Sequence, residues 1–375
     1  MEDNKIDTPI RIASIGIRSI PPSAGSAGGD KVMFEYCKRL VNRGFQVIAY
    51  NRVYNNEGEK LSDYCGIGLI YKKTVNRAGF DTLIHSGKAT FHIIFRNTAD
   101  HVIIANGGNS IWGLFLRLSG KKVIVWVDGI DWNRDKWPWY GKLFLYLSAY
   151  LTAVIPHIVI FDNIFGKEIY EKKFRKKFEF IKNGADVSEF QENEEILKKY
   201  NLLPGEYLLF VGRFIPDKGL HYLIPAFEQV NTSKKLILVG GAPNPSDYEK
   251  NFLQSEDQRI QKLGYIYGND VLNLIKHAYL YVQPSDVEGL SPVIQQVMGL
   301  GTPLLCSNIQ ENLFVVGDTA QTFRKGDIKD LREKINFCLA NPDIIRKSSI
   351  KAKEKMVREF SWEPAIDQLI ALIKS

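Results

Sequence analysis

The apolar positions of this chain alternate between short continuous runs and stretches with helical spacing. Arg11–Gly16 reads as a buried strand, and a loop rich in Pro, Ser and Gly follows it from Pro21 to Gly29. Asp30 stands where an N-cap belongs, ahead of a helix over Lys31–Arg43 that Gly44 ends. Val32, Met33, Tyr36, Cys37, Leu40 and Val41 share one face of that helix. Lys31, Glu35, Lys38, Arg39 and Asn42 share the other. Phe45–Tyr50, His101–Ala105, Lys122–Val127 and Ile158–Phe161 are further strand-like runs. Near-continuous apolar strands separated by helices predict a parallel sheet covered on both faces.

The second half repeats the pattern. Strands are expected at Tyr207–Val211, Lys235–Val239, Tyr279–Gln283 and Pro303–Cys306, with helices between them. The span from Asp186 to Glu206 is charged and weakly apolar, and it divides the chain into domains at 1–190 and 191–360. An amphipathic helix over Ser361–Lys374 closes the sequence. The longest apolar run, Leu143 to Phe161, approaches the ~20 residues of a membrane span. Pro156 and His157 interrupt it, so it reads as a helix packed on the sheet followed by a strand. Trp137, Trp139, Tyr140, Phe144, Tyr146 and Tyr150 leave open a helix that lies in a membrane interface.

Composition narrows the class. Hydrophobic residues at 45% with charged residues at 24% exclude a disordered or collagen-like chain. Cys37, Cys65, Cys306 and Cys338 have neither metal-ligand nor redox spacing, which fits a reducing cytosol. Met1 to Pro9 lacks the apolar core of a signal peptide. The net charge of +7 is uneven: residues 1–190 carry +8 and the remainder −1. A basic first domain suits an anionic surface or ligand, whether a bilayer or a pyrophosphate-bearing substrate. The same charge admits nucleic-acid binding as a third, rival reading, but no zinc-finger, RRM or KH pattern is present and no nucleic-acid partner is expected.

The candidate chemistry lies at the ends of expected strands. Arg213 and Lys218 follow Tyr207–Val211, and both can reach the carboxyl edge of the sheet, Arg as a planar fork and Lys as a compact charge. Glu288-Gly289-Leu290-Ser291-Pro292 opens a helix expected over Pro292–Leu300, with Ser291 as N-cap, Pro292 at the first helical position and Gly301 ending it. Free N–H groups around Gly289 and Leu290 then favour an anion.

Together these segments resemble the donor site of retaining GT-B glycosyltransferases of the family 4 type. That resemblance implies an α/β chain with two Rossmann-like domains facing across a cleft, which closes on its substrates, and a last helix crossing back to the first domain. It implies that Arg213 and Lys218 grip the donor diphosphate and that Glu288 binds hydroxyls of the transferred sugar. The family pattern is Glu, seven residues, Glu; here Gln296 stands at the second position, where the carboxylate would hold the ribose. Gln296 keeps one acceptor oxygen and adds an NH₂ donor. Tyr265 and Ile266, in the strand-like stretch Leu263–Tyr267, fall where family members hold the base through backbone groups, or they belong to a plain core strand.

The first domain carries looser matches. Gly25 to Asp30 resembles the Gly-Gly-x-Glu loop of family 4 enzymes, with Gly28 and Gly29 permitting close approach to donor phosphate. Val127 to Trp137, with Asp128 at its start, is similar to a segment of bacterial rhamnosyltransferases of surface-polysaccharide assembly. Ile15–Pro21, Gly107-Gly108-Asn109 and Gly240–Pro243 are similar to the same subgroup. Asp128 would accept a sugar hydroxyl or support positive charge at the anomeric carbon; in another reading it forms an Asx-turn or cap. Trp132, Trp137 and Trp139 would stack on sugars or fill a core.

No Asp-x-Asp motif falls at a strand end, so no metal or other cofactor is expected beyond the nucleotide-diphosphate sugar as co-substrate. The expectation is a retaining glycosyltransferase that moves a sugar, dTDP-rhamnose being one candidate donor, onto a glycan or lipid-linked glycan acceptor. It would be cytoplasmic, with peripheral membrane contact through the basic first domain. An epimerase or phosphorylase of the same architecture and a non-catalytic sugar-nucleotide-binding subunit are the rival readings.

Overall fold

The strand-like runs of the sequence form two separate sheets. The computed structural model describes residues 9–22, 28–54, 60–77, 79–130, 132, 138–184, 190–241, 248 and 254–375. Two compact units divide the chain, Met1–Lys182 with Glu363–Ser375, and Asn183–Trp362.

The first unit holds β1 (Arg11–Ile15), β2 (Gln46–Val53), β3 (Asp63–Tyr64), β4 (Ile67–Lys73), β5 (His101–Ala105), β6 (Lys122–Val127), β7 (Ile158–Phe161) and β8 (Glu179–Phe180). Their order is β3-β4-β2-β1-β5-β6-β7-β8, and every pairing is parallel except the short β3–β4 hairpin. Val102, Ile103 and Ile104 of β5 are fully buried, as expected for a sheet covered on both faces. Each such side chain contributes roughly 1.5–3 kcal/mol.

The second unit holds β9 (Tyr207–Arg213), β10 (Lys235–Gly241), β11 (Ile260–Gly264), β12 (Leu280–Gln283), β13 (Leu304–Ser307) and β14 (Gln321–Phe323), in the order β11-β10-β9-β12-β13-β14 and wholly parallel. In the first unit β2, β4 and β3 lie on one side of β1, and in the second β10 and β11 lie on one side of β9; in each the chain then returns to the other side of that first strand. That reversal is the doubly wound Rossmann order.

The last helix, Trp362–Lys374, packs on the first unit. Arg43 binds Glu363 at 2.5 Å and Asp367 at 2.6 Å, and Lys122 Nζ donates to the carbonyls of Leu372 and Ile373.

Three local expectations change. The helix after β1 spans Gly28–Asn42, so Asp30 lies inside its first turn rather than capping it. There its carboxylate accepts the Arg18 N–H at 2.8 Å, which ties the helix start to the preceding loop. The strand expected over Leu263–Tyr267 ends at Gly264, whose φ of +72° turns the chain out of the sheet, leaving Tyr265 and Ile266 in the following loop. The first unit passes to the second after Lys182, not after residue 190.

Candidate functional site

Strand order dictates where a ligand can sit. In the second sheet the connections leave β9 and β12 in opposite directions, and neighbouring parallel strands of that kind open a crevice at their carboxyl ends. Lys218 follows β9, and Glu288 follows β12. Gly219 brings the two loops together. Its φ is +70°, and a Cβ there would lie 1.9 Å from the carbonyl oxygen of Pro284, just past β12. Only a residue without a side chain allows that approach.

The result is a short polar chain. Lys218 Nζ lies 2.6 Å from each oxygen of Glu288. Glu288 Oε1 also accepts from Gln283 Nε2 at 2.7 Å and from Ser285 Oγ at 2.6 Å. Behind them, Tyr281 donates to Gln283 Oε1 at 2.6 Å, and Ser307 donates to the Ser285 carbonyl at 2.5 Å. Burial pushes the Tyr281 hydroxyl well above its ordinary range, with the Glu288 charge adding to the effect. Tyr281 therefore stays a neutral donor. The side chain of Glu288 is 6% exposed and that of Lys218 18%, so the pair is held away from bulk water yet open on one side.

Helix Pro292–Leu300 begins beside this cluster. Ser291 caps it by accepting the Ile294 N–H at 3.5 Å, and Gly301 ends it at φ +72°. Leu290 and Ser291 are buried and Gln296 is half-buried on the helix. Arg213 closes β9, in register with Gly241 of β10. Tyr265 lies past β11 with its ring against Gly241, where an added Cβ would meet it at 2.9 Å. The ring is also parallel to that of Tyr267, with centroids 5.9 Å apart. Tyr265, Gly241, Arg213, Lys218 and Glu288 thus succeed one another along the carboxyl edge from β11 to β12. Three strand spacings cover about 14 Å.

The first unit has its own reversal, between β1 and β5. Gly16, after β1, has φ +88°, and a Cβ there would sit 2.3 Å from the carbonyl oxygen of Ala105, the last residue of β5. Asn109 donates to that same carbonyl and to Thr82 Oγ1, both at 3.0 Å. Arg52 donates to the Gly16 carbonyl at 2.6 Å and pairs with Asp81 at 2.8 Å, and Tyr54 donates to the same carboxylate at 2.9 Å. His85 is fully buried; burial, reinforced by the Arg52 charge, lowers its pKa to about 3, so the ring is neutral.

Gly28 and Gly29 are the first residues of helix Gly28–Asn42, and a Cβ on Gly29 would lie 3.6 Å from Asp128 Oδ2. The structure therefore brings Gly29 and Asp128 together. Gly25–Ala27, Asp131 and Asn133–Trp137 lie outside the described residues. Trp132 packs on Tyr170 and Tyr146, filling the core, whereas Trp139 is 77% exposed. Sequence reasoning missed Gln283 and Ser285, although both stand within five residues of Glu288 on an expected strand end. It also missed Arg52, Tyr54 and Asp81, whose meeting depends on pairing between distant segments. Among the described residues no three His, Cys, Asp or Glu side chains are grouped to hold a metal ion.

Known proteins resemble this chain in sequence and in fold. Residues 192–356 match the family described as glycosyl transferases group 1. An uncharacterized glycosyltransferase, MJ1178 of Methanocaldococcus jannaschii, is 28% identical over 345 residues, covering 88% of this chain and 89% of its own. The UDP-Gal:alpha-D-GlcNAc-diphosphoundecaprenol alpha-1,3-galactosyltransferase of Escherichia coli is 24% identical over 272 residues, 68% of this chain and 69% of its own. Among solved structures, sucrose-phosphate synthase from Thermosynechococcus elongatus superposes with a TM-score of 0.83 at 19% identity, covering 97% of this chain and 98% of that one.

Proposed function

We propose that this chain, a glycosyltransferase of the GT-B fold, transfers a sugar with retention from a nucleoside diphosphate to a growing glycan carried on a lipid. The observation that carries the reading is the meeting of Lys218 and Glu288 at the β9/β12 reversal, beside the start of helix Pro292–Leu300.

The roles follow from counting donors and acceptors. Lys218 has three N–H groups, and its two contacts with Glu288 leave one for a diphosphate oxygen. Among the described residues Glu288 Oε1 is filled by three donors, whereas Oε2 receives only Lys218 and can accept a sugar hydroxyl. The pair is therefore poised between sugar and phosphate. Arg213 supplies a second cation on the same edge, and the N–H groups around Gly289 and Leu290 add the positive end of a helix. As the diphosphate departs it gains negative charge, and these contacts strengthen in the transition state without a metal ion. Tyr265, about 14 Å along the edge from Glu288, lies where the base of the nucleotide would reach, and Gln296 would meet the ribose.

No protein nucleophile is assigned. The leaving phosphate deprotonates the acceptor hydroxyl on the same face of the sugar, which gives retention. In the first domain Asp128 and the glycine start of helix Gly28–Asn42 lie side by side, a carboxylate next to a helix N-terminus. The named activity of the diphosphoundecaprenol-dependent relative supports a lipid-linked acceptor. The first-domain likeness to rhamnosyltransferases supports testing dTDP-rhamnose among the donors.

The test is a thermal-shift screen of UDP-, GDP- and dTDP-sugars, followed by turnover with and without lipid-linked glycan acceptors and the anomeric configuration of the product. A donor that raises the melting temperature, acceptor-dependent transfer and retained configuration are expected. Turnover without acceptor would instead indicate an epimerase, and donor binding with no turnover on any acceptor a non-catalytic subunit.

A further inference from the structure

Helix Trp139–Val154 is turned inside out relative to an ordinary surface helix. The residues it buries are small: Ser148, Ala149, Thr152 and Ala153. Its outward face carries Trp139, Leu143, Leu147, Tyr150 and Val154, all exposed, with Trp139 at 77% and Val154 at 67%. Their spacing of four, four, three and four places them on one stripe along the helix. Soluble chains rarely leave so continuous an apolar surface without an occupant.

Charge identifies the occupant. Helix Ile164–Phe174 ends in Lys172, Lys173 and Phe174, and the chain continues with Arg175, Lys176 and Lys177. This cluster lies directly against the stripe. Phe174 meets Tyr150 at 5.0 Å between ring centroids, Lys173 Nζ sits 3.9 Å from the centre of the Tyr146 ring, and Lys176 Nζ donates to the Ala153 carbonyl at 2.9 Å. Lys172, Arg175 and Lys177 are exposed. Glu171, at the edge of the cluster, is taken up by Lys167, Lys177 and the Phe178 N–H. Helices Ile111–Leu118 and Trp139–Val154 carry no carboxylate, and the one on helix Phe80–Arg96, Asp81, is held by Arg52. Counting exposed Glu168 and Glu179, the segment from Lys167 to Glu179 holds six cations against three carboxylates, so its charge is net positive. A surface apolar at one depth and anionic just above it matches both features.

We propose that helix Trp139–Val154 docks on the anionic face of a phospholipid bilayer, its apolar stripe at the boundary of headgroups and acyl chains and the 172–177 cations against lipid phosphates. The helix lies on the membrane and does not span it; among the described residues no helix is long and apolar enough to cross. The proposal does not depend on the donor site, and nucleotide-sugar binding is read separately from vesicle binding.

The experiment is co-sedimentation of the full chain with vesicles of phosphatidylcholine alone or mixed with phosphatidylglycerol. The chain is expected to pellet with the mixed vesicles, less so as salt rises, and to stay in solution with phosphatidylcholine alone. Leu143→Gln with Leu147→Gln, and separately Lys172→Glu with Lys177→Glu, should each weaken partitioning by on the order of tenfold or more. All four side chains are exposed, and an unchanged melting temperature verifies the fold. Failure to pellet with anionic vesicles, equal pelleting with both kinds, or wild-type partitioning of the leucine variant overturns the proposal. So does a dimer in sedimentation velocity that the leucine variant dissolves, which would give the stripe to a second copy.

Discussion

Lys218 and Glu288, separated by 70 residues, form an ion pair in which one ammonium touches both oxygens of one carboxylate at 2.6 Å. Neither residue reaches the other through its own element. The contact exists because β9 and β12 are neighbours and because Gly219 lets the first loop rest on the Pro284 carbonyl. Each charge is neutralised by the other.

Replacing Lys218 with Ala should lower kcat by roughly 10²–10³, the scale of one lost transition-state charge stabiliser. Steady-state rates at saturating donor measure it, and a loss under about tenfold would remove the diphosphate role. Because Glu288 then loses its cation, the melting temperature of the variant is recorded alongside.

Glu288→Ala should abolish sugar transfer while a nucleoside diphosphate lacking the sugar still binds within a few-fold of wild type. Titration calorimetry with both ligands makes the comparison. Sugar transfer at the wild-type rate would discard the assignment.

Gly219→Ala should destabilise the second domain by clearly more than Gly205→Ala. Both glycines have positive φ, +70° and +74°, but a Cβ at Gly205 meets nothing within 4 Å. The control isolates the backbone cost, about 1 kcal/mol. Denaturant melts of the two variants give the difference, and equal losses would show that the approach to Pro284 is not needed.

His85 makes stability depend on pH. Its folded pKa, near 3, lies below the unfolded value, so only the unfolded chain takes up this proton as pH falls through about 6.5. The contribution is complete above that pH and shrinks toward pH 3, by ~2 kcal/mol at pH 5. Denaturant melts at pH 7 and 5 should lose less stability in His85→Gln than in wild type. An identical slope in both proteins would refute the assignment.

Much of the fold was legible because buried parallel strands write themselves as apolar runs. His101–Ala105, Lys122–Val127 and Ile158–Phe161 are strands end to end. The helix Pro292–Leu300 was legible because Ser291, Pro292 and Gly301 mark both of its ends. Asp30 misled because its side chain had two possible backbone partners, and the N–H of Arg18 won over a helix cap. Tyr265 misled because aromatic β-propensity continued past Gly264, where the backbone turns. Gln283 and Ser285 were missed since a strand-end Gln or Ser looks the same whether it meets solvent or orients a carboxylate. Arg52 and Asp81 were invisible for a different reason: their segments meet only once the sheet is assembled.

The small buried side of helix Trp139–Val154 has one more consequence. Since the side chains this helix buries fully are the small ones of Ser148, Ala149, Thr152 and Ala153, exposed Trp139, Leu143, Leu147 and Val154 contribute little to the core. The surface chemistry of those four positions can therefore be changed with little repacking beneath, so a substitution there reports on what the outer face meets rather than on how the chain folds.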